Sequence, residues 1–323
     1  MRIGVLTSGG DAPGMNATVR AVARTAFFRG WEVMGIWAGY RGLLEGRIYP
    51  LDRRRLGGII HRGGTVLGTE RSPEFATPEG QRKAAGKLAE AEVEGLVVIG
   101  GNGSLTGGLR LAELGVKVVG VPATIDNDVW GTDTAIGVDT ALNTALEAID
   151  RLKDTASSHV RAHVVEVMGR DCGYLALMSA IAGGAEAAVV PEFEPRPEAL
   201  LQFLKKAFEQ GKSHFIVVVS EGAPLSAEEL HEYVNDSEGT YDARLTVVGH
   251  IQRGGIPTAS DRILGSRLGT AAVEALADGE SGVMVGLRGT RIERVPLEEV
   301  VGKEQPLDPE IYKMAEVLAE LPE

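Results

Sequence analysis

Short apolar runs alternate with longer amphipathic stretches along the whole of this 323-residue chain. Eight of the apolar runs have the composition of buried strands: 3–8, 33–38, 96–101, 118–124, 163–169, 215–222, 245–250 and 283–287. Helical spacing marks five stretches between them: 16–30, 80–93, 139–156, 197–211 and 226–235. Strands that alternate with helices of this length predict βαβ units around a parallel sheet. The pattern therefore predicts an α/β fold.

Polar and glycine-rich clusters follow the predicted strands. They are SGGDAPG (8–14), GGNGS (100–104), TIDND (124–128), MGRDCG (168–173), SEGA (220–223) and GHIQRGG (249–255). Ligands of parallel α/β sheets bind at the carboxyl ends of the strands. We therefore expect the functional residues in these clusters.

Length and composition narrow the class of protein. A chain of 323 residues exceeds the usual size of a single core, so two lobes are expected. The net charge of −12 argues against general affinity for nucleic acid or an anionic membrane. The single cysteine, Cys172, excludes an intrachain disulfide, and no apolar run reaches the roughly 18 residues of a membrane span. These features predict a soluble cytoplasmic protein.

Two glycine-rich turns resemble phosphate-binding loops. In VVIGGNGSLTG (97–107), Gly100 and Gly101 end a strand, and Ser104 begins a predicted helix whose dipole favours an anion. The uncharged Asn102 stands where a metal-assisted loop would usually have a carboxylate. The turn TSGGDAPGMN (7–16) has two interpretations: close approach to a phosphate, or a tight turn capped by Asp11 or Asn16.

The loop PATIDNDVWGTD (122–133) contains the clearest candidates for proton transfer. Asp126 and Asp128 are two residues apart, and an extended segment would place both on one side. One would accept a proton from a hydroxyl while the other helps to hold a cation. The alternative is a turn in which each aspartate binds its own backbone.

Arginines near strand ends indicate an anionic ligand. Guanidinium groups match phosphate geometry and stay charged, although any one of them could instead form a surface ion pair. Arg170 and Arg253 are embedded in glycine-rich clusters and are the strongest candidates. Glu221 suits sugar hydroxyls, or else caps a helix that begins near Pro224. The histidines show no metal-binding spacing and are interpreted as structural.

Taken in order, these motifs resemble those of bacterial 6-phosphofructokinases over nearly the whole chain. The segments that carry the resemblance are IGVLTSGGDAPGMNA, GG-x-GS, P-x-TIDNDxxGTD, AIDRLKDTASSH, VEVMGR and VVGHIQRGGxPTAxDRIL. The resemblance implies two Rossmann-like lobes, each a mostly parallel sheet flanked by helices, with the active site in the cleft between them. It implies a nucleotide-binding lobe of 1–137 plus about 252–303 and a sugar-phosphate lobe of 138–251 plus about 304–323.

The resemblance also implies transfer of the γ-phosphoryl group of ATP to the 1-hydroxyl of fructose 6-phosphate in glycolysis. Asp126 matches the general base, with Thr124 at the sugar, while Arg170, Arg71 and the backbone of Gly10 match the groups that stabilise the phosphoryl in transfer. The nucleotide-binding set consists of Gly10, Arg71, Ser72, Gly101, Asn102, Gly103 and Ser104. The substrate-binding set consists of Thr124, Asp126, Asp128, Arg161, Met168, Gly169, Arg170, Glu221, Arg244, His250 and Arg253.

Arg161 and Arg244 match arginines that reach the sugar 6-phosphate of a neighbouring subunit in a homotetramer. An effector site for ADP or phosphoenolpyruvate is implied at Arg20, Arg24, Arg53, Arg54, Lys153, Glu186 and Lys212. Arg20 and Arg24 are also explained by a solvated helix face, since they are four residues apart.

Position 102 departs from the family pattern. The family has GGDGS, with the aspartate as a Mg²⁺ ligand, so the resemblance predicts a Mg²⁺ site at Asp128 and a weakened ligand at Asn102. Two interpretations follow: a kinase slowed by Asn102, or a catalytically weak paralogue that binds sugar phosphate and nucleotide as a regulatory subunit. In the family pattern, pyrophosphate users carry aspartate at the position of Gly103 and lysine at that of Ala123, so the resemblance disfavours a pyrophosphate-dependent kinase. The turn SGGDAPG does not fit the GxGxxG of a redox enzyme.

Overall fold

The computed structural model describes residues 1–237 and 241–320. By internal packing the chain divides into unit 1, Met1–Thr140 with Arg253–Gln305, and unit 2, Ala141–Gln252 with Pro306–Glu323. The sugar-phosphate lobe implied by the sequence includes 238–240 and 321–323, which lie outside the described residues. What each unit binds stays a prediction at this point.

The described residues form the following elements. The strands are β1 (Arg2–Thr7), β2 (Glu32–Ile36), β3 (Ile48–Pro50), β4 (Gly95–Gly100), β5 (Val118–Pro122), β6 (Arg161–Val167), β7 (Ala187–Val189), β8 (His214–Ser220), β9 (Asp242–Val247), β10 (Val283–Arg288) and β11 (Arg291–Pro296). The helices are α1 (Met15–Phe28), α2 (Gly39–Leu44), α3 (Pro78–Glu90), α4 (Asn102–Glu113), α5 (Val138–His159), α6 (Tyr174–Gly183), α7 (Pro197–Glu209), α8 (Ala227–Asn235), α9 (Ala259–Ala277), α10 (Leu297–Val300) and α11 (Pro309–Ala319). Two 3₁₀ helices occupy Glu74–Ala76 and Gly249–Arg253. Among the described helices, none combines the length and the apolar character that crossing a membrane requires.

Unit 1 contains a seven-stranded sheet in the order β11-β10-β5-β4-β1-β2-β3. The five strands from β10 to β2 are parallel, and β3 and β11 pair antiparallel at the two edges. Every residue of β4 and β5 is buried, as expected for central strands covered on both faces. The α/β class predicted from the sequence is confirmed.

Small residues allow α1 and α9 of unit 1 to pack closely. A Cβ at Gly265 would lie 2.6 Å from Oγ1 of Thr18, and one at Gly269 would lie 2.8 Å from the Thr18 carbonyl. One face of α9 is buried, but that face includes Asp261, Gly265 and Gly269 among its apolar residues, so the sequence lacks the apolar stripe by which the other helices are predicted. For this reason α9 was not predicted from the sequence.

Unit 2 contains a four-stranded parallel sheet in the order β7-β8-β6-β9. One face carries an apolar core in which Phe215, Val217 and Leu204 are fully buried or nearly so. The helix α6 has the sequence YLALMSAIAG and is apolar on all sides, so its sequence gives no helical stripe. Like α6, the short elements α2, α10, β3 and β7 were not predicted from the sequence, and neither were α11 and β11.

Asp261 lies in α9, and its carboxylate caps the start of α5. It is buried and accepts hydrogen bonds from the backbone N–H of Gly137 (2.8 Å), from that of Thr140 (2.8 Å) and from the Thr140 hydroxyl (2.6 Å). Burial raises the pKa of Asp261, and these three hydrogen bonds oppose that rise. One carboxylate therefore satisfies two of the N–H groups that a helix start leaves without partners.

We predict that Asp261→Ala lowers the free energy of unfolding of unit 1 by about 2–4 kcal/mol, because two buried N–H donors lose a charged acceptor. All three tryptophans, Trp31, Trp37 and Trp130, belong to unit 1, so fluorescence during urea unfolding reports this unit. The control is Asp278→Ala at the exposed end of the same helix, where an ion pair with Arg294 contributes at most about 1 kcal/mol. Equal losses in the two variants would contradict the capping role.

Candidate functional site

Three loops of unit 1 meet at the carboxyl edge of its sheet, after the adjacent strands β1, β4 and β5. The N–H of Ser8 donates to the Ile99 carbonyl (3.0 Å), and the N–H of Ala123 donates to that of Gly100 (3.0 Å). A Cβ at Gly100 would lie 2.4 Å from the Ser8 carbonyl oxygen, so only glycine fits between these loops. The structure thus brings together the clusters that the sequence predicts to be functional.

Arg253 lies against the backbone of Gly10 in the loop after β1. An added Cβ at Gly10 would be 2.2 Å from a terminal guanidinium nitrogen of Arg253. The hydroxyl of Thr69 donates to the Gly9 carbonyl, which places the segment leading to the exposed Arg71 beside the same loop. Ser72 Oγ accepts a hydrogen bond from the N–H of Phe75 (3.2 Å) and so caps the short 3₁₀ helix there. The loop at Gly9 and Gly10 thus lies beside Arg253 and beside the segment that leads to Arg71, the two arginines predicted to bind phosphate here.

The start of α4 is shaped for close approach. The helix begins at Asn102, two residues before the sequence prediction, and no side chain caps it at Gly101. Gly103 is exposed with open space at its Cβ position, and Ser104 is buried. The Tyr40 hydroxyl donates to the Ser104 carbonyl (2.6 Å), and the Tyr40 ring stacks on Phe75. This support holds the first turn of α4 in place.

Asn102 binds Asp128 directly. Its amide nitrogen donates to the Asp128 carboxylate oxygen Oδ2 (3.0 Å) and to the Asp128 backbone carbonyl (3.3 Å). The other carboxylate oxygen, Oδ1, is buried and has no hydrogen-bond partner among residues 1–237 and 241–320. Burial raises the pKa of Asp128, and the nearby Asp126 raises it further, while the Asn102 amide opposes the rise. Asn102 is therefore the neutral donor that this buried carboxylate needs.

Asp126 and Asp128 are close together, but the expectation that an extended segment places them on one side is wrong. Asn127 between them has φ of 56°, in the left-handed region, so the segment is not extended. Asp126 is buried, and its backbone N–H donates to the Thr124 hydroxyl (3.2 Å). The carboxylate of Asp133 is also occupied, because it accepts the N–H of Gly289 (2.6 Å). This leaves Asp126 and Asp128 as the candidates for chemistry in the loop.

In unit 2, Arg170 occupies a strained position in the loop after β6. Its φ is 52°, which is uncommon for a residue that is neither glycine nor asparagine. Glu221 Oε1 accepts the N–H groups of Arg170 (2.9 Å) and Gly169 (3.3 Å). The alternative role of Glu221 as a helix cap is wrong, since Ser226 caps α8. The carboxylate instead holds the loop that presents Arg170.

Of the other residues predicted in unit 2, Met168 and His250 follow the carboxyl ends of β6 and β9, whereas Arg161 and Arg244 lie in the amino-terminal halves of these strands. Gln252 is fully buried, and its side-chain oxygen accepts the N–H of Met168 (2.8 Å), a role that was not predicted from the sequence. Arg161 and Arg244 both pair with Asp242 Oδ2, at 3.2 and 2.6 Å. His250 is exposed in the 3₁₀ helix that ends at Arg253.

His163 lies on β6 and aligns with Arg244 on the neighbouring strand β9. It is buried, and neither ring nitrogen has a hydrogen-bond partner among the described residues. Burial lowers its pKa, and the positive charges of Arg161 and Arg244 lower it further. The sequence indicated a structural histidine, and the structure adds that it lies under two arginines.

The residues predicted for an effector site divide between the units. In unit 2, Lys212 pairs with the buried Glu186 (2.7 Å), and Lys153 donates to the carbonyls of Gly183 and Gly184. Glu186 and Lys212 line a cavity of about 360 Å³.

In unit 1, Arg20 and Arg24 share a face of α1, where burial and then the charge of Arg24 lower the pKa of Arg20. Arg53 lies over the Phe27 ring, and Arg54 follows it in the loop after β3.

Two further predictions from the sequence need correction or addition. Asn16 does not cap a turn: it lies inside α1 and binds the 62–66 segment, where it accepts the N–H of Val66 and donates to the Arg62 and Gly63 carbonyls.

Among the described residues, no cluster of three or more His, Cys, Asp or Glu side chains is arranged to hold a metal ion. The unpartnered Oδ1 of Asp128 nevertheless fits Mg²⁺, which needs few carboxylates when substrate phosphates supply other ligands.

Comparisons with known proteins agree on one family. The model of the family described as Phosphofructokinase matches residues 2–276. A relative from Thermus thermophilus, named ATP-dependent 6-phosphofructokinase 1, is 53% identical over 320 residues, or 98% of this chain and 99% of the relative. A relative from Natranaerobius thermophilus, named ATP-dependent 6-phosphofructokinase, is 50% identical over 318 residues, again 98% and 99%.

Solved structures show the same fold. Phosphofructokinase from Saccharomyces cerevisiae matches with a TM-score of 0.86 and 37% identity over 93% of this chain, which spans only 45% of the yeast chain. A structure from Marinobacter aquaeolei, titled as a pyrophosphate-dependent phosphofructokinase, has a TM-score of 0.85 at 24% identity and covers 96% of this chain and 86% of that one. At that identity the second match indicates the fold alone.

The left-handed backbone at Arg170 predicts an unusual order of stability. Arg170→Gly and Arg170→Ala remove the same side chain, but we expect the glycine variant to be more stable by about 1 kcal/mol, because alanine resists positive φ. Urea unfolding followed by far-UV circular dichroism measures the difference. The same pair of changes at exposed Lys206 in α7 should give the opposite order. An Arg170→Ala variant more stable than Arg170→Gly would rule out the left-handed conformation.

Proposed function

The chain belongs to the phosphofructokinase family, and we propose that it transfers the γ-phosphoryl group of ATP to the 1-hydroxyl of fructose 6-phosphate. The product is fructose 1,6-bisphosphate. The observation that carries the proposal is identity of 50–53% to ATP-dependent 6-phosphofructokinases over nearly the full length of both chains. The function is thus a phosphotransferase step of glycolysis, and we place the enzyme in the cytoplasm.

We assign Asp126 as the general base of this reaction. A base must reach the proton of the attacking hydroxyl in a site that excludes bulk water, and Asp126 is buried in the loop after β5. Thr124 fixes the backbone of Asp126 through its hydroxyl and lies next to Gly101, so we place it at the sugar. Both residues belong to the loop that also carries Asp128.

Positive charge and backbone N–H groups stabilise the phosphoryl group during transfer, which is where this reaction gains most of its rate. We assign this role to Arg170, Arg71 and the backbone of Gly10. The glycine has no side chain to obstruct a phosphate, and the strain at Arg170 is the kind of feature that concentrates at functional sites. The uncapped start of α4 supports a nucleotide-phosphate site, which we assign to Gly101, Asn102, Gly103 and Ser104. We assign Ser72, which follows Arg71 in sequence, to the same nucleotide site.

The sugar 6-phosphate requires a cationic site in a chain with a net charge of −12. We assign it to His250 and Arg253 of one subunit together with Arg161 and Arg244 of a neighbouring subunit, and Asp242 already holds these last two side by side. Met168, Gly169 and Glu221 contact the sugar in this proposal. Glu221 uses Oε1 to hold the Arg170 loop, so Oε2 is the oxygen that we assign to a sugar hydroxyl.

We propose Mg²⁺ as the cofactor, held by Asp128 through its unpartnered Oδ1 and more weakly by the Asn102 side-chain oxygen. When bound with ATP, the ion neutralises charge on the phosphates. The amide of Asn102 already donates to Oδ2, which orients the Asp128 carboxylate without adding a charge beside Asp126.

Two other functions are less well supported. A regulatory subunit without activity is not favoured, because relatives at about half identity along the whole chain bear the name of the enzyme. A pyrophosphate-dependent kinase is disfavoured by the small residues Gly103 and Ala123.

A homotetramer and an effector site also belong to the proposal. The effector residues form one group in unit 1 and another in unit 2, and the unit 2 group adjoins a cavity. Such separate groups suit an ADP or phosphoenolpyruvate site that needs residues from more than one surface.

Asp126→Asn tests the assignment of the base. The amide keeps the shape but cannot accept the proton, so we expect kcat to fall about 10²–10⁴-fold while KM for fructose 6-phosphate changes little. A coupled assay of ATP and fructose 6-phosphate with Mg²⁺ measures both constants. Asp278→Asn, at the exposed end of α9, serves as the control and should be unaffected. A wild-type protein that binds fructose 6-phosphate without turnover would overturn the proposed function.

Asn102→Asp tests the weakened metal ligand. Without metal, a third carboxylate replaces the donor to Asp128, so we expect the thermal midpoint of unfolding to fall by several degrees. With Mg²⁺ and ATP the variant should regain this loss, need less Mg²⁺ for half-maximal rate and turn over faster than the parent. Tryptophan fluorescence during melting, with and without MgCl₂, measures the first effect. Identical Mg²⁺ dependence in parent and variant would contradict a metal-facing position 102.

A further inference from the structure

We infer that Asn127 is a positioning residue that fixes Asp126 and Asp128 in the loop after β5. The inference rests on the proposed function, in which Asp126 accepts the proton of the sugar hydroxyl. Nothing in the spacing of the loop singles out Asn127, and its role is visible only in the contacts of its side chain and the conformation of its backbone. Each of these two features makes a separate demand on the residue.

The first feature is the backbone conformation of Asn127. Its φ of 56° places it in the left-handed region, which asparagine tolerates better than most residues because its short polar side chain can bind nearby backbone groups. This conformation bends the chain between the two aspartates. An alanine or any branched residue would resist the bend, so the directions in which Asp126 and Asp128 leave the backbone depend on position 127.

The second feature is a pair of side-chain hydrogen bonds across the loop. Asn127 is 4% exposed. Its amide nitrogen donates to the Asp133 carbonyl (3.2 Å), and its amide oxygen accepts the N–H of Ala135 (2.9 Å). The donor and the acceptor of the Asn127 amide are thus both used, and both bind residues 133–135 further along the same loop. An aspartate, which lacks the donor, reproduces only half of this arrangement.

The segment that Asn127 binds is itself attached to the sheet. The N–H of Asp133 donates to the Leu287 carbonyl (2.8 Å) at the end of β10, and the Asp133 carboxylate accepts the N–H of Gly289 (2.6 Å). The Thr132 hydroxyl accepts the N–H of Leu287 (3.0 Å). Asn127 therefore connects the pair of aspartates, through residues 132–135, to the hairpin of β10 and β11.

The consequence concerns rate more than binding. Proton transfer depends on the position of the Asp126 oxygens to a fraction of an ångström, and a misplacement of about 1 Å can cost about 10²-fold in rate. The Asn102 amide also holds the Asp128 carboxylate, and the Thr124 hydroxyl holds the backbone N–H of Asp126. Loss of the Asn127 side chain should therefore displace both aspartates without detaching either from the loop.

The experiment compares Asn127→Gly, Asn127→Ala and Asn127→Asp with Ser281→Ala in the full-length protein. Glycine keeps the left-handed backbone and removes both hydrogen bonds, and alanine also opposes the backbone. Aspartate keeps the acceptor, removes the donor and adds a negative charge between Asp126 and Asp128. Ser281→Ala is the matched control: it removes two side-chain hydrogen bonds, from the N–H of Val118 and to the carbonyl of Val116, at the opposite end of β5. Steady-state kinetics and amide hydrogen exchange of residues 124–136 are measured for each variant.

We expect Asn127→Gly to lower kcat about 10–100-fold, with KM for both substrates within about 3-fold of the parent. Asn127→Ala should lose more, and Asn127→Asp should lose kcat through both the missing donor and the charge added beside Asp126. Exchange in 124–136 should rise at least about tenfold in the glycine variant. Ser281→Ala should change neither kcat nor this exchange.

A kcat for Asn127→Gly within about 2-fold of the parent, or unchanged exchange in 124–136, would overturn the inference. If the glycine and alanine variants do not fold, hydrogen exchange of residues 124–136 in Asn127→Asp decides, because the added charge would change kcat by itself. If the parent itself does not phosphorylate fructose 6-phosphate, the proposed function fails instead, and the exchange measurement still decides whether Asn127 braces the loop.

Discussion

Parallel pairing of β4 with β1 on one side and β5 on the other is the constraint on which the candidate site of unit 1 depends. Because the three strands run in one direction, the loops that follow them end at one edge of the sheet. Their backbones approach so closely at Gly100 that an added methyl group would contact the Ser8 carbonyl. A shift of one residue in this register would turn every side chain to the other face and separate the glycine backbone of one loop from the aspartates of another.

Within that frame, acidic side chains mostly serve to hold other groups in place. Asp261 caps a helix, Asp133 binds the turn after β10, Glu221 holds the backbone of Arg170, and Asp242 pairs with two arginines. Asp128 is the exception, since one of its oxygens accepts a neutral amide and the other has no hydrogen-bond partner within the described part of the chain. The residue that binds Asp128 is thus an amide, so position 102 adds no charge to the two aspartates of this loop.

The sequence predicted the sheet class and the loops that carry the site, because strand burial and glycine-rich turns leave a local pattern. It missed α6, which is apolar on all sides, and α9, whose buried face includes Asp261, Gly265 and Gly269, because neither sequence shows the apolar stripe by which a helix is recognised. The edge strand β11 was missed because its pairing with β10 depends on a two-residue turn and not on its own composition. Asn127 was missed for a similar reason: its partners at positions 133 and 135 are set by the return path of the loop. The assignments of individual site residues remain predictions.

The division of unit 1 along the chain has a consequence for synthesis on the ribosome. Residues 1–140 leave the ribosome without β10, which pairs with β5, and without α9, which packs on α1. At about 5–20 residues per second, roughly 10–30 s pass before the segment ending at Gln305 has been made. During that interval the edge of β5 that later pairs with β10 is unpaired, and the residues of β5 are apolar because they are buried in the finished sheet. An exposed apolar strand edge is a surface on which incomplete chains aggregate. A nascent chain of this protein is therefore most prone to aggregate in the interval before residues Arg253–Gln305 have been synthesised.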